Sequence, residues 1–136
     1  MSTLLAKIRI HPGMEAEFEE VAAYMYRQTH GNEQGVVRYE YWRGREPGMY
    51  YCLLSFTDST AFWRHQASDH HEGQMQRFQN CIADLDLELV DPLQQSSPLP
   101  ATIAGTISPE EPQAVKEQAK LFPIDEMHWW QALRKL

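Results

Sequence analysis

The segment Trp63 to Gly73, WRHQASDHHEG, places three of the chain's six histidines within seven residues. Imidazole titrates nearest neutrality, so a histidine can be a metal ligand, a general base or a buried polar group in a helix seam. Spacing separates these roles. Ligands on one helix must be three or four residues apart to share a face, and His65, His70 and His71 do not fit that pattern, so the prediction here is no metal. Nor do they share one helix. Asp69 with Glu72 three residues later is a helix-start signal, and Ser68 can also cap, so the segment reads as a corner between two helices. His65 ends the first, where the negative end of the dipole favours a protonated ring, whereas His70 and His71 begin the second, where the positive end opposes protonation. Along that second helix His71, Met75, Phe78 and Ile82 recur as a core-facing stripe, and His70 aligns with Gln74, Arg77 and Cys81. His71 is therefore either a satisfied core histidine or a neutral base facing a partly dry cavity.

The elements that must position this corner follow from periodicity. Leu4, Ala6, Ile8 and Ile10 alternate with Leu5, Lys7, Arg9 and His11, the pattern of a half-buried strand, and Pro12-Gly13 ends it. Met14, Phe18, Val21, Ala22, Met25 and Thr29 then recur at helical spacing with Glu15, Glu17, Glu19 and Glu20 early, which predicts a helix ending near His30-Gly31-Asn32. VVRYEYWR after Gly35 and MYYCLLSF after Pro47-Gly48 predict two strands joined as a hairpin. Asp58-Ser59-Thr60 opens a short helix, and LDLELV from Leu85 to Val90 predicts the last strand. The order β-α-β-β-α(α)-β is the ferredoxin-like split βαβ, an α+β fold with an antiparallel sheet and its helices on one face. Arg38, Glu40 and Trp42 oppose Tyr39 and Tyr41, while Tyr51 and Leu53 oppose Tyr50, Cys52, Leu54 and Phe56. A sheet with large groups on both faces needs cover on both, and a second copy of the chain supplies the simplest one.

Composition narrows the function. A formal charge of −7, from 12 Lys+Arg against 19 Asp+Glu, without any basic run, argues against nucleic acid. Lys7 and Arg9 interrupt the only apolar stretch of the N-terminal segment, which fits neither a signal peptide nor a membrane span and points to the cytoplasm and to no membrane partner. Cys52 and Cys81, far apart and outside any CxxC pattern, are expected to be reduced and buried.

After Val90 the texture changes. Prolines at 92, 98, 100, 109, 112 and 123 surround Gln94-Gln95-Ser96-Ser97, which divides the chain into a domain over residues 1–92 and a Pro-rich linker with a helical extension over 93–136. Ser108-Pro109-Glu110-Glu111 predicts a helix from there to about Leu121, and Asp125 can cap a second, EMHWWQALRKL, with Met127, Trp130 and Leu133 on one side. Trp129 and Trp130 would leave a large apolar area in water, which favours packing of the extension across a dimer.

Taken together, Pro12-Gly13, the run from Gly35 through Tyr39-Glu40 to Arg43, Asp58 to Ala61-Phe62 to His65, and Ser68-Asp69-His70 resemble the antibiotic biosynthesis monooxygenase domain family, over residues 3 to about 92. The resemblance implies a dimeric α/β barrel, hence a homodimer. It implies oxidation of a small electron-rich aromatic, a quinol or anthrone, by dioxygen without metal, flavin or haem. The protein then supplies a base, an apolar cavity between sheet and helices, and orienting groups. His65 and His70 occupy the family's recurrent histidine positions, whereas periodicity favours His71; all three stand as catalytic candidates. Trp63 and Tyr51 would stack on the substrate, Tyr51 or Tyr39 would floor the cavity, and Arg38 would stabilise the substrate anion. A haem-degrading branch is disfavoured: the first strand has no asparagine, His65 stands near the expected tryptophan, and Met75 near the expected haem histidine. The alternative class is a small-ligand-binding or stress-related dimer without turnover, because an aromatic cavity serves binding as well as catalysis.

Overall fold

The computed structural model describes residues 1–134 of the 136. Strand β1 (Ser2–Ile10) is followed by helix α1 (Glu15–Asn32), strands β2 (Val36–Arg43) and β3 (Met49–Phe56), helices α2 (Ser59–Gln66), α3 (Asp69–Glu72) and α4 (Met75–Cys81), and strand β4 (Ile82–Leu89). The strands form one antiparallel sheet in the order β2-β3-β1-β4, the ferredoxin-like arrangement expected.

Register fixes the two faces. Leu4, Ala6 and Ile8 of β1 oppose Leu54, Cys52 and Tyr50 of β3 and Leu89, Leu87 and Leu85 of β4, so all of these share one face. Tyr39 and Tyr41 join it through their pairing with Leu54 and Cys52. That face buries Phe18, Val21, Ala22 and Met25 of α1, the helical stripe read from the sequence. The outer face carries Leu5, Lys7, Leu53, Tyr51, Arg38, Glu40 and Trp42, with Trp42 58% exposed.

Two glycines are there for space. A Cβ on Gly35 would stand 2.5 Å from the Ala61 Cβ, because the start of β2 runs against the first turn of α2. A Cβ on Gly105 would stand 1.6 Å from the Ser59 Oγ, where the C-terminal segment crosses the same helix.

Several boundaries differ from expectation. The second helix of the corner is two helices, broken at Gly73-Gln74, and Ile82 begins β4 instead of ending a helix. Ile82 pairs with Ile10 across a register shift in β1, so strand pairing takes over its backbone bonding. Ser68, not Asp69, caps α3, its hydroxyl accepting from the His71 N–H at 3.3 Å.

The helix predicted from Ser108 starts later, as α5 (Gln113–Leu121), with α6 at His128–Leu133. Pro112 explains the delay, because proline pushes the preceding residue out of the helical region and offers no N–H. Lys135 and Leu136, the end of the second predicted helix, lie outside the described residues.

The extension packs on its own chain, against α2. α5 lies on α2, with Val115 and Ile124 in the common core and Arg64 paired to Glu111. Arg134 clamps Asp91 with Nε to Oδ2 at 2.6 Å and Nη2 to Oδ1 at 2.7 Å, and also donates to the Thr102 carbonyl at 2.9 Å. Trp130 is buried and Trp129 is left outside.

Candidate active site

A cavity of about 540 Å³ lies between the inner face of the sheet and α1, α3 and α4, the location predicted for a substrate. Tyr39 and Tyr41 form its floor from β2, Met75 and Phe78 line it from α4, His71 enters from α3, and Phe122 closes it from the extension. The polar groups of the floor are the Tyr39 and Tyr41 hydroxyls, which stand 3.0 Å apart, and the Cys52 thiol. Burial holds both phenols protonated, with pKa values far above the ordinary tyrosine range. Burial likewise pushes the Cys52 thiol up to about 12, so it offers no thiolate to the cavity.

His71 keeps the orientation its periodicity implied despite the break after α3, since Met75, Phe78 and Ile82 line the same cavity. Its Nδ1 is buried without a hydrogen-bond partner; the nearest carboxylate oxygen, on Glu72, is 3.5 Å away. Burial, reinforced by the neighbouring His65 and His70 rings, pushes its pKa down to about 3. The ring is therefore neutral at physiological pH.

His65 stands behind the floor. Its side chain is fully buried, its ring centroid lies 4.8 Å from that of Tyr39 and 4.9 Å from that of His71, and its Nδ1 is 2.8 Å from Glu33 Oε1. A neutral ring donating Nδ1–H to that carboxylate carries a bare lone pair on Nε2, and Nε2 is buried without a partner. His70, at the edge of the corner, places Nε2 2.7 Å from the same Glu33 oxygen and 3.2 Å from Ser68 Oγ. Ser68 also donates to the His65 carbonyl at 2.7 Å, which locks the corner.

Three predicted site residues stand elsewhere. Tyr51 pairs with Lys7 and Trp42, and Arg38 with Ser55, which puts both on the outer face of the sheet. Trp63 is buried toward the extension, its Nε1 donating to the Phe122 carbonyl at 2.8 Å. Helical spacing explains the last: two residues from His65 is a different side of α2.

Glu33 is the residue the sequence reading missed. It is the first residue beyond α1, in extended conformation with φ −110°, and so turns away from the helix toward the corner. The Gly31-Asn32 helix end could have marked the turn but not the direction of the side chain. The exclusion of a metal by spacing along one helix also does not hold for His65 and His70. With Glu33 they form a group whose donor atoms all lie within 4.8 Å of one another, the third donor coming from another element.

The family model for antibiotic biosynthesis monooxygenases matches residues 1–77. No curated protein matches the chain. Among solved structures, a Caulobacter crescentus CB15 protein described as a candidate member of that family superposes with a TM-score of 0.65 at 23% identity, covering 68% of this chain and 90% of its own. One from Nitrosomonas europaea, described likewise, gives 0.64 at 13% identity, with 68% and 99% covered. A Mycobacterium tuberculosis protein gives 0.64 at 15%, with 71% and 98% covered. These likenesses show the fold. The family match ends before β4, and the extension lies outside it.

Proposed function

Because the chain belongs to the antibiotic biosynthesis monooxygenase family, we propose that its cavity binds a small electron-rich aromatic and oxidises it with dioxygen, with His71 as the base. The observation that carries this reading is a neutral imidazole in the wall of an apolar cavity. For an anthrone-type substrate, His71 takes a proton from the acidic ring methylene. The carbanion passes one electron to dioxygen, the two radicals join through a carbon–oxygen bond, and the resulting hydroperoxide loses water to leave a carbonyl. One oxygen atom stays in the product and the other leaves as water with the two methylene hydrogens, so the substrate supplies every electron.

His71 is a weak base in the empty cavity, but an anion forming beside it restores its proton affinity, since opposite charges in a dry site stabilise each other. The Tyr39 and Tyr41 hydroxyls, held protonated, share one hydrogen bond, which leaves one O–H to donate to the substrate oxygen. Glu33 holds His65 against the floor and so sets its tautomer.

The chain divides, in this reading, into the family domain over residues 1–92 and an extension over 93–136 that narrows the cavity. The partner is a second copy, seated on the outer sheet face where Trp42, Tyr51, Leu5 and Leu53 lie together.

Oxygen uptake by purified, chelator-treated protein with a panel of hydroquinones and anthrones tests the reaction. Uptake is expected, with His71→Ala lowering turnover by roughly a hundredfold or more. Binding of these compounds without uptake would make the chain a ligand-binding dimer.

A further inference from the structure

We propose that Glu33, His65 and His70 form a binding site for a late first-row divalent cation, at the back of the cavity floor and distinct from the cavity. The three donors come from three elements: the residue that ends α1, the last turn of α2, and the single turn of α3. Glu33 Oε1 stands 2.8 Å from His65 Nδ1 and 2.7 Å from His70 Nε2. Two imidazole N–H groups converging on one carboxylate oxygen is the form a metal site takes with protons in place of the ion, because the same lone pairs bind either.

Around an ion with bonds of about 2.0–2.1 Å, tetrahedral donors lie roughly 3.3 Å apart, so the two nitrogens must close from their present separation, at most 4.8 Å. The elements allow it. His70 rides on one helical turn between Ser68 and Gly73, and the Glu33 side chain springs from extended backbone. Burial favours the ion as well, since the His65 side chain is fully buried and those of Glu33 and His70 are 14% and 13% exposed. Ser68 Oγ, 3.2 Å from His70 Nε2, is a fourth donor within reach. Glu33 also edges an open groove with Asp58 and Arg64 through which an ion and water can enter.

The donor set selects the cation. Two imidazoles and one carboxylate suit zinc and its late first-row neighbours, whereas magnesium and calcium prefer all-oxygen shells. An ion there would tie the end of α1 to the α2–α3 corner. It would also take Nδ1 of His65 and leave that ring's proton on Nε2, reversing the donor–acceptor sense of the ring 4.9 Å from His71.

Calorimetric titration of the chelator-stripped full chain with Zn²⁺, and with Mg²⁺ in parallel, tests the site. One Zn²⁺ per chain is expected, with no Mg²⁺ isotherm, and Co²⁺ should give the visible absorption of a four-coordinate site. Glu33→Gln and His70→Ala should each weaken Zn²⁺ binding tenfold or more, while His11→Ala and His128→Ala leave it unchanged. Far-ultraviolet circular dichroism confirms that each variant is folded, and the Zn²⁺-induced rise in melting temperature should vanish in Glu33→Gln. No saturable Zn²⁺ binding up to about 100 micromolar, or equal binding in Glu33→Gln and His70→Ala, overturns the site. Neither result bears on oxygen uptake, which is measured on metal-free protein.

Discussion

Glu33 and His65, 32 residues apart in the chain, meet in the interior at 2.8 Å. The contact exists because α1 ends at Asn32 and β2 begins at Val36, which leaves the intervening turn lying beside α2. Gly35 permits the close approach, since any side chain there would collide with Ala61. A buried imidazole N–H needs an acceptor, and this carboxylate serves two of them at once, through His70 as well.

Removing the acceptor should therefore cost more than a surface substitution. Glu33→Ala strands the buried His65 N–H and is expected to lower stability by about 1–3 kcal/mol, whereas Glu33→Gln keeps an amide oxygen and should cost less. Urea denaturation with the midpoint read by tryptophan fluorescence checks this. Equal midpoints for wild type and Glu33→Ala would mean that solvent satisfies the cluster.

The seam between domain and extension has its own pH signature. Burial alone would raise the Asp91 pKa, but the Arg134 guanidinium, the Thr102 N–H and the attraction of the arginine's charge outweigh it and hold the carboxyl below its usual range. A carboxyl with a lowered folded pKa stabilises fully above its unfolded value near 3.8 and loses that contribution as pH falls through the folded value. Asp91→Asn is expected to melt lower than wild type at neutral pH, with the gap closing below about pH 4. A gap constant down to pH 2 would show that the pair does not hold the extension.

The strands and α1 were legible because their side chains obey one local rule, alternation or helical spacing, and the inner faces of β1 and α1 follow it residue by residue. The direction of His71 was legible for the same reason. Arg38 and Tyr51 were assigned to the substrate, although alternation already set Arg38 opposite Tyr39 and Tyr41 on β2 and Tyr51 opposite Tyr50 and Cys52 on β3. Glu33 was hidden because its role depends on where α1 stops relative to a corner 32 residues further on, which no local period encodes. The late start of α5 was a contest between a capping box and Pro112, and the proline's steric effect won.

Phe122 joins the extension to the cavity. Its ring packs on Phe62 at 6.1 Å, its carbonyl accepts from Trp63, and it forms part of the cavity wall. Phe122→Ala should widen the cavity, so an aromatic dye such as 1-anilinonaphthalene-8-sulfonate should bind several-fold tighter, at a stability cost of about 2 kcal/mol. Truncation after Pro92 should lower the melting temperature as well, because it exposes Trp63 and Phe62 beneath the extension. Unchanged dye affinity in the folded Phe122→Ala variant would show that the cavity's size is set by the family domain alone.

The outer face of the sheet makes the last prediction. Trp42, 58% exposed, lies opposite Tyr51 on the neighbouring strand, and Leu53 and Leu5 continue the row across β3 and β1. Lys7 and its partners Asp86 and Glu88 lie on the same face toward β4, forming a charged rim on one side of the apolar patch. A large exposed aromatic on an apolar patch is the residue type that dominates association energies, commonly by about 2 kcal/mol or more, which is roughly thirtyfold in dissociation constant. Wild type should sediment as a dimer at micromolar concentration, and Trp42→Glu should dissociate at least thirtyfold more readily while its melting transition stays cooperative. Arg38→Ala, on the same face but polar, should change the constant much less. A wild-type chain that sediments as a monomer at that concentration would remove the second copy from the outer face and leave Trp42 exposed to solvent.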